Sequence, residues 1–96
     1  MATSIIENGS NVFNMNQQNT APDLNWIHTG GIYSYNPSSV GKPSSYGAVL
    51  HIASSTEATG WHWQLAFSTE NRVYVRDNIN ANPSSFGGNW TAWREL

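Results

Sequence analysis

The chain is 96 residues long, 39% hydrophobic and 12% aromatic, with a formal net charge of −2 and no cysteine. That length supports one domain at most, and the missing cysteines exclude disulfides and thiolate metal sites. Four Lys and Arg in all cannot build the multi-cation face that nucleic acid or an anionic membrane requires.

Only 10% of the residues are charged, against a usual ~25%. The surface is therefore expected to be Asn, Ser, Thr and Gln, and the aromatic content argues against disorder. No run approaches the ~20 apolar residues of a membrane-spanning helix, so membrane insertion is not expected. The first residues, Met1-Ala2-Thr3-Ser4-Ile5-Ile6-Glu7, lack the basic start and long apolar run of a signal peptide. A role outside the cell would rest on lysis or on carriage within a larger particle.

From the N-terminus, residues 1–20 read as an extended connector, rich in Asn and poor in pattern. Its anchoring apolar residues are Ile5, Ile6, Val12, Phe13 and Met15. The domain proper is expected over 21–96. Thr20-Ala21-Pro22-Asp23-Leu24-Asn25-Trp26 suits a short helical turn, with Pro22 at its first position and Thr20 or Asp23 as its cap. Gly30-Gly31 breaks it, and Ile32 to Tyr35 reads as a strand. Pro37-Ser38-Ser39-Val40-Gly41, Pro43-Ser44-Ser45-Tyr46-Gly47 and Pro83-Ser84-Ser85-Phe86-Gly87 repeat one pattern at irregular spacing. This is turn chemistry: proline sets φ, and serines satisfy backbone groups. Tyr46 to Ser54 is the next strand, with Leu50 and Ile52 on one side and Val49 and His51 on the other.

Trp61, Trp63, Leu65 and Phe67 then alternate with His62, Gln64, Ala66 and Ser68, the period-2 pattern of a half-buried strand. The partner strand offers Val73 and Val75 against Tyr74 and Arg76. A two-residue turn at Glu70-Asn71 would set Arg76 opposite Leu65. A three-residue loop, Thr69-Glu70-Asn71, sets Phe67 opposite Val73 and Leu65 opposite Val75, with Asn71 in the left-handed region that asparagine tolerates. The longer loop is expected. The apolar ladder should then be buried, and His62, Gln64, Tyr74 and Arg76 should share the other face. These four are the candidate ligand-binding residues. The same row suits a polar subunit interface. The five tryptophans, Trp26, Trp61, Trp63, Trp90 and Trp93, are expected in the core or at subunit contacts before sugar platforms.

No pair among Glu7, Asp23, Glu57, Glu70, Asp77 and Glu95 converges in the manner of a glycosidase, whose carboxylates lie about 5–9 Å apart. His28, His51 and His62 lack metal-site spacing. No catalytic residue, metal ligand or cofactor is expected.

Five segments in order carry a resemblance: Asp23-Leu24-Asn25, Gly31-Ile32-Tyr33, Pro43-Ser44-Ser45-Tyr46-Gly47, Arg72-Val73-Tyr74-Val75-Arg76, and Trp90-Thr91-Ala92-Trp93-Arg94-Glu95-Leu96. Together they resemble the pyocin-knob type of domain found in tail fibres of phages and R-type bacteriocins. Gly31, Tyr33, Trp90, Trp93 and Arg94 are the signature positions. The resemblance implies a small, mostly β domain with an antiparallel sheet and long loops. It also implies a homotrimer, joined to the rest of a tail fibre on a virion, that contacts a bacterial surface glycan or an outer-membrane receptor. Two other roles fit the same residues. One is a structural trimerisation or C-terminal folding domain, with Trp90 and Trp93 buried between subunits. The other is a non-catalytic accessory domain of a polysaccharide depolymerase spike.

Overall fold

The computed structural model describes residues 4–7 and 10–14 as backbone, and residues 20–54 and 58–96 in full. The strands are β1 (Ser4–Glu7), β2 (Ser10–Asn14), β3 (Gly31–Tyr35), β4 (Gly47–Ala53), β5 (Gly60–Ser68), β6 (Val73–Ala81) and β7 (Arg94–Glu95). They form one sheet in sequence order. From β3 to β7 every pairing is antiparallel. β1 and β2 form an antiparallel pair that meets β3 through a single parallel pairing, Asn14 with Gly31. The only helical elements among the described residues are 3-10 turns at Leu24–Trp26 and Phe86–Gly88. The mostly β expectation holds. The N-terminal connector, read as extended, carries two paired strands that its pattern did not suggest; the side chains expected to anchor it lie outside the described residues.

Local chemistry explains the turns. Asp23 caps the first 3-10 turn, its Oδ1 accepting the Asn25 amide at 2.9 Å. Two of the three Pro-Ser-Ser repeats are turns with an asparagine in front. Asn36 Oδ1 accepts the Ser38 amide at 2.9 Å, and Asn82 Oδ1 accepts the Ser84 amide at 3.0 Å. The β5–β6 hairpin has the three-residue loop. Phe67 faces Val73, Leu65 faces Val75 and Gln64 faces Arg76, while Asn71 takes φ 64°.

The register is as expected, but the faces are reversed. His62 and Gln64 are fully buried, Arg76 is 6% exposed, and Tyr74 packs against the core. Trp61, Trp63 and Phe67 stand exposed on the other side. The cause lies in what covers the inner face. Among the described residues no α-helix packs there; loops do, at 20–30, 36–46 and 82–93, two of them with a single 3-10 turn. Loop carbonyls buried against a sheet need donors. Gln64 Nε2 donates to Leu24 O at 2.9 Å, and Asn78 Nδ2 donates to Phe86 O at 3.0 Å. Ser39 Oγ reaches Ala21 O at 2.6 Å, Trp90 Nε1 reaches Asn25 O at 2.9 Å, and Trp93 Nε1 reaches Gly41 O at 2.8 Å. An apolar inner face would have left Leu24 O and Phe86 O unpaired, at about 1–3 kcal/mol each; the other three are paired by the loops' own side chains.

The apolar core is correspondingly small. Ala21, Leu24, Ile27, Tyr35, Val49 and Ala66 form it, with Tyr33, Tyr74 and Trp93 against its margin. Gly41 shows how closely the 36–46 loop approaches the 20–30 loop. Its φ is +78°, and a Cβ there would sit 2.5 Å from Asn25 Oδ1.

Candidate functional site

Two features stand back to back on β4, β5 and β6. Beneath the sheet, a chain of hydrogen bonds runs across three strands. Arg76 Nε donates to Gln64 Oε1 at 2.8 Å, and Gln64 Nε2 lies 3.2 Å from His51 Nδ1. His51 Nε2 lies 2.9 Å from His62 Nδ1, and His62 Nε2 lies 2.7 Å from Thr59 O. The two ends assign the protons. Thr59 O can only accept, so His62 carries its proton on Nε2 and accepts at Nδ1. His51 therefore donates from Nε2 and accepts from the Gln64 amide at Nδ1. His51 thus carries a single proton in this arrangement, and each bond of the run pairs a donor with an acceptor. A second proton on His51 would point Nδ1–H at the Gln64 NH2 group. Burial accordingly pushes His51 down to about 3, helped by the neighbouring His62, His28 and Arg76.

Among the described residues no carboxylate is bonded to the Arg76 guanidinium. Its Nη1 donates to Asn25 Oδ1 at 2.9 Å, and Nη2 makes no hydrogen bond. The rings of Trp90 and Trp93 each lie 4.4 Å from its central carbon, so two π-faces stabilise the charge. Burial lowers its pKa to about 10, with Asp23 acting in the opposite sense. Arg76 remains a cation at neutral pH. Trp90 also edges against Phe86 and His51, with ring centroids 5.8 Å and 5.9 Å apart. Trp90 and Trp93 are thus occupied within their own chain, where a subunit contact had been considered for them. The other signature residues are structural as well. Gly31 opens β3 opposite His51, Tyr33 donates from its hydroxyl to Thr29 O at 2.7 Å, and Arg94 sits on β7 opposite Val75.

His62, Gln64, Tyr74 and Arg76 do come together, as their shared face required, but inside the molecule. Gln64 and Arg76 lock the 20–30 loop to the sheet, His62 joins His51 to Thr59 O, and Tyr74 packs half-buried at the core margin. A prediction follows from His51. The unfolded chain takes up this proton below about 6.5, whereas the folded chain refuses it until about 3. Stability should therefore fall as pH drops through that window, by up to about 1.4 kcal/mol per pH unit. Urea midpoints between pH 6.5 and 4.5 should decline, and the decline should shrink in His51→Gln. Equal slopes for the two proteins would show that this proton is not excluded.

Above the sheet lies the second feature, which sequence reasoning placed in the core. Cross-strand rows on this face run Ile52–Trp63–Asp77, Leu50–Leu65–Val75 and Ala48–Phe67–Val73, with Ile32 beside Leu50 and Arg94 beside Val75. Ile32, Ile52, Trp61, Trp63, Phe67 and Ile79 are 36–58% exposed. Together they form a contiguous apolar surface, beyond the scattered apolar residues of an ordinary surface. The signal was present in the alternation itself; it says that two faces differ, not which one is inside.

Comparison with known proteins adds no relative: no family model, curated protein or solved structure matches the chain. Among the described residues, no helix is long and apolar enough to cross a membrane.

Proposed function

We propose that the chain is a self-assembling domain of a phage-type tail fibre, and that copies of itself, three about one axis, close its open apolar face. The fibre context and the threefold come from the resemblance in motif order. The observation that carries the assembly role is the exposed apolar surface of β4, β5 and β6. A domain normally has two packed layers, and outward of this sheet the described residues supply none.

A second copy suits the face for two reasons. The charges among its paired rows are one acid, Asp77, and one base, Arg94, both near the β6–β7 margin, so like faces meet without net repulsion. The remainder is aliphatic and aromatic, as in the centre of an obligate interface. Burial of His62, Gln64 and Arg76 favours this role over receptor contact through that row. Nothing in the arrangement calls for catalysis.

Isotope-filtered NOE spectra of a mixed labelled and unlabelled sample test the reading. Contacts between the Trp63 indole of one copy and methyl groups of Ile52, Leu65 or Val75 of another are expected. Intermolecular contacts confined to the loop side would refute it.

A further inference from the structure

On the loop side, away from the apolar face, an open groove of about 360 Å³ is lined mainly by Thr20, Pro22, Asp23, Trp26, Ile27 and Tyr33. That volume lies within the roughly 300–1,000 Å³ typical of small-molecule sites. We infer that this groove binds a quaternary ammonium group, with the Trp26 and Tyr33 rings as its walls and the Asp23 carboxylate as its counter-ion. The inference is independent of the assembly proposed above, which uses the opposite face.

Both rings are held in place by the chain itself. Trp26 is 49% exposed, yet it packs on Phe86 with ring centroids 6.2 Å apart. Gly87 lies so close that a Cβ there would sit 2.4 Å from the indole nitrogen. Tyr33 is fixed through its hydroxyl, which donates to Thr29 O at 2.7 Å. The turn that bears Trp26 is anchored on both sides, by Leu24 N to Val40 O at 2.9 Å and by Gln64 Nε2 to Leu24 O at 2.9 Å. Fixed aromatic walls attract a cation through their ring quadrupoles at little cost in ordering.

Asp23 uses Oδ1 for its cap, and among the described residues its Oδ2 accepts no hydrogen bond and its carboxylate makes no ion pair. No Lys, Arg or His lines the groove. Arg76, bonded to Asn25 of the same turn, is 6% exposed and lies outside the lining. The groove therefore presents one acid and no base, which disfavours anions. The scarcity of acceptors then selects the kind of cation. The carbonyls of Ala21, Pro22 and Asp23 are already taken, by Ser39 Oγ, Val40 N and Trp26 N. A primary ammonium brings three N–H donors, and a divalent metal ion needs about six oxygens. A quaternary ammonium has no donor to satisfy, and its methyl groups suit Pro22, Ile27 and the two rings.

The test titrates the full chain at low salt with choline, with its uncharged isostere dimethylbutanol, in which carbon replaces the nitrogen, and with ethanolamine. Two-dimensional NMR follows the Trp26 indole N–H. Saturable shifts with Kd of about 1 mM are expected for choline, and binding about tenfold weaker for the other two. Asp23→Asn keeps the cap and should weaken choline binding about tenfold while leaving the isostere unaffected. Trp26→Ala should abolish the saturable shifts elsewhere in the groove, while its backbone spectrum still shows a folded sheet. Three results would each overturn the inference: no saturable shift with choline, dimethylbutanol or ethanolamine bound as tightly as choline, or choline affinity unchanged in Asp23→Asn.

Discussion

Arg76→Ala should destabilise the fold by about 3–5 kcal/mol, a large part of the 5–15 kcal/mol available to a domain of this kind. The substitution strands Gln64 Oε1 and Asn25 Oδ1 and empties the space between two indoles. The buried Gln64 acceptor costs about 1–3 kcal/mol when stranded and the lost cation–π contacts about 2 more, while half-buried Asn25 can regain water. Arg76→Lys should recover less than half of this. A single ammonium cannot bond both acceptors while lying flat between Trp90 and Trp93. Urea unfolding followed by tryptophan fluorescence reads both variants. A loss below about 1 kcal/mol for the alanine variant would mean that Arg76 does not tie the loops to the sheet.

A lysine at Leu65 should dissociate the assembly and leave the monomer folded. Leu65 lies at the middle of the apolar face, between Leu50 and Val75. In the free chain a long side chain there can carry its charge into water. Against a second copy the charge would be buried without a partner, at about 3–5 kcal/mol. Association should weaken by a hundredfold or more. The substitution should shift urea unfolding of the monomer by less than about 1 kcal/mol, because it disturbs no buried polar contact.

The particular elements show what the residues alone could reveal. The β5–β6 register was legible because only a three-residue loop keeps Arg76 off the valine rows, and Asn71 tolerates the left-handed turn this requires. The Asp23 cap and the Asn36 and Asn82 turns were legible because their signals are local. The direction of the sheet was not. Alternation separates Trp63 and Leu65 from His62 and Gln64 with equal clarity whichever side faces inward. Hydrophobicity points to the tryptophan side as the core, and for a helix-covered sheet that inference is sound. Here the cover is loop backbone, whose carbonyls demand His, Gln, Asn and Trp donors. The long unpatterned stretches at 20–30 and 82–93 were the available hint, since a loop-covered face has to be donor-rich. The β1–β2 pair was missed because its residues lack a clean period-2 pattern.

The groove beside Trp26 was not visible either. Asp23, Trp26 and Tyr33 meet there only because Leu24 is pinned between Val40 and Gln64, a long-range constraint that no local spacing encodes.

Light scattering on the chain, alongside Leu65→Lys, is the most direct measurement of whether the apolar sheet face is closed by further copies. The unaltered chain should weigh three times 10.6 kDa at micromolar concentration, and the lysine variant should weigh one chain. A single-chain mass for the unaltered protein at every concentration, or a trimer that persists unchanged in the variant, would contradict it.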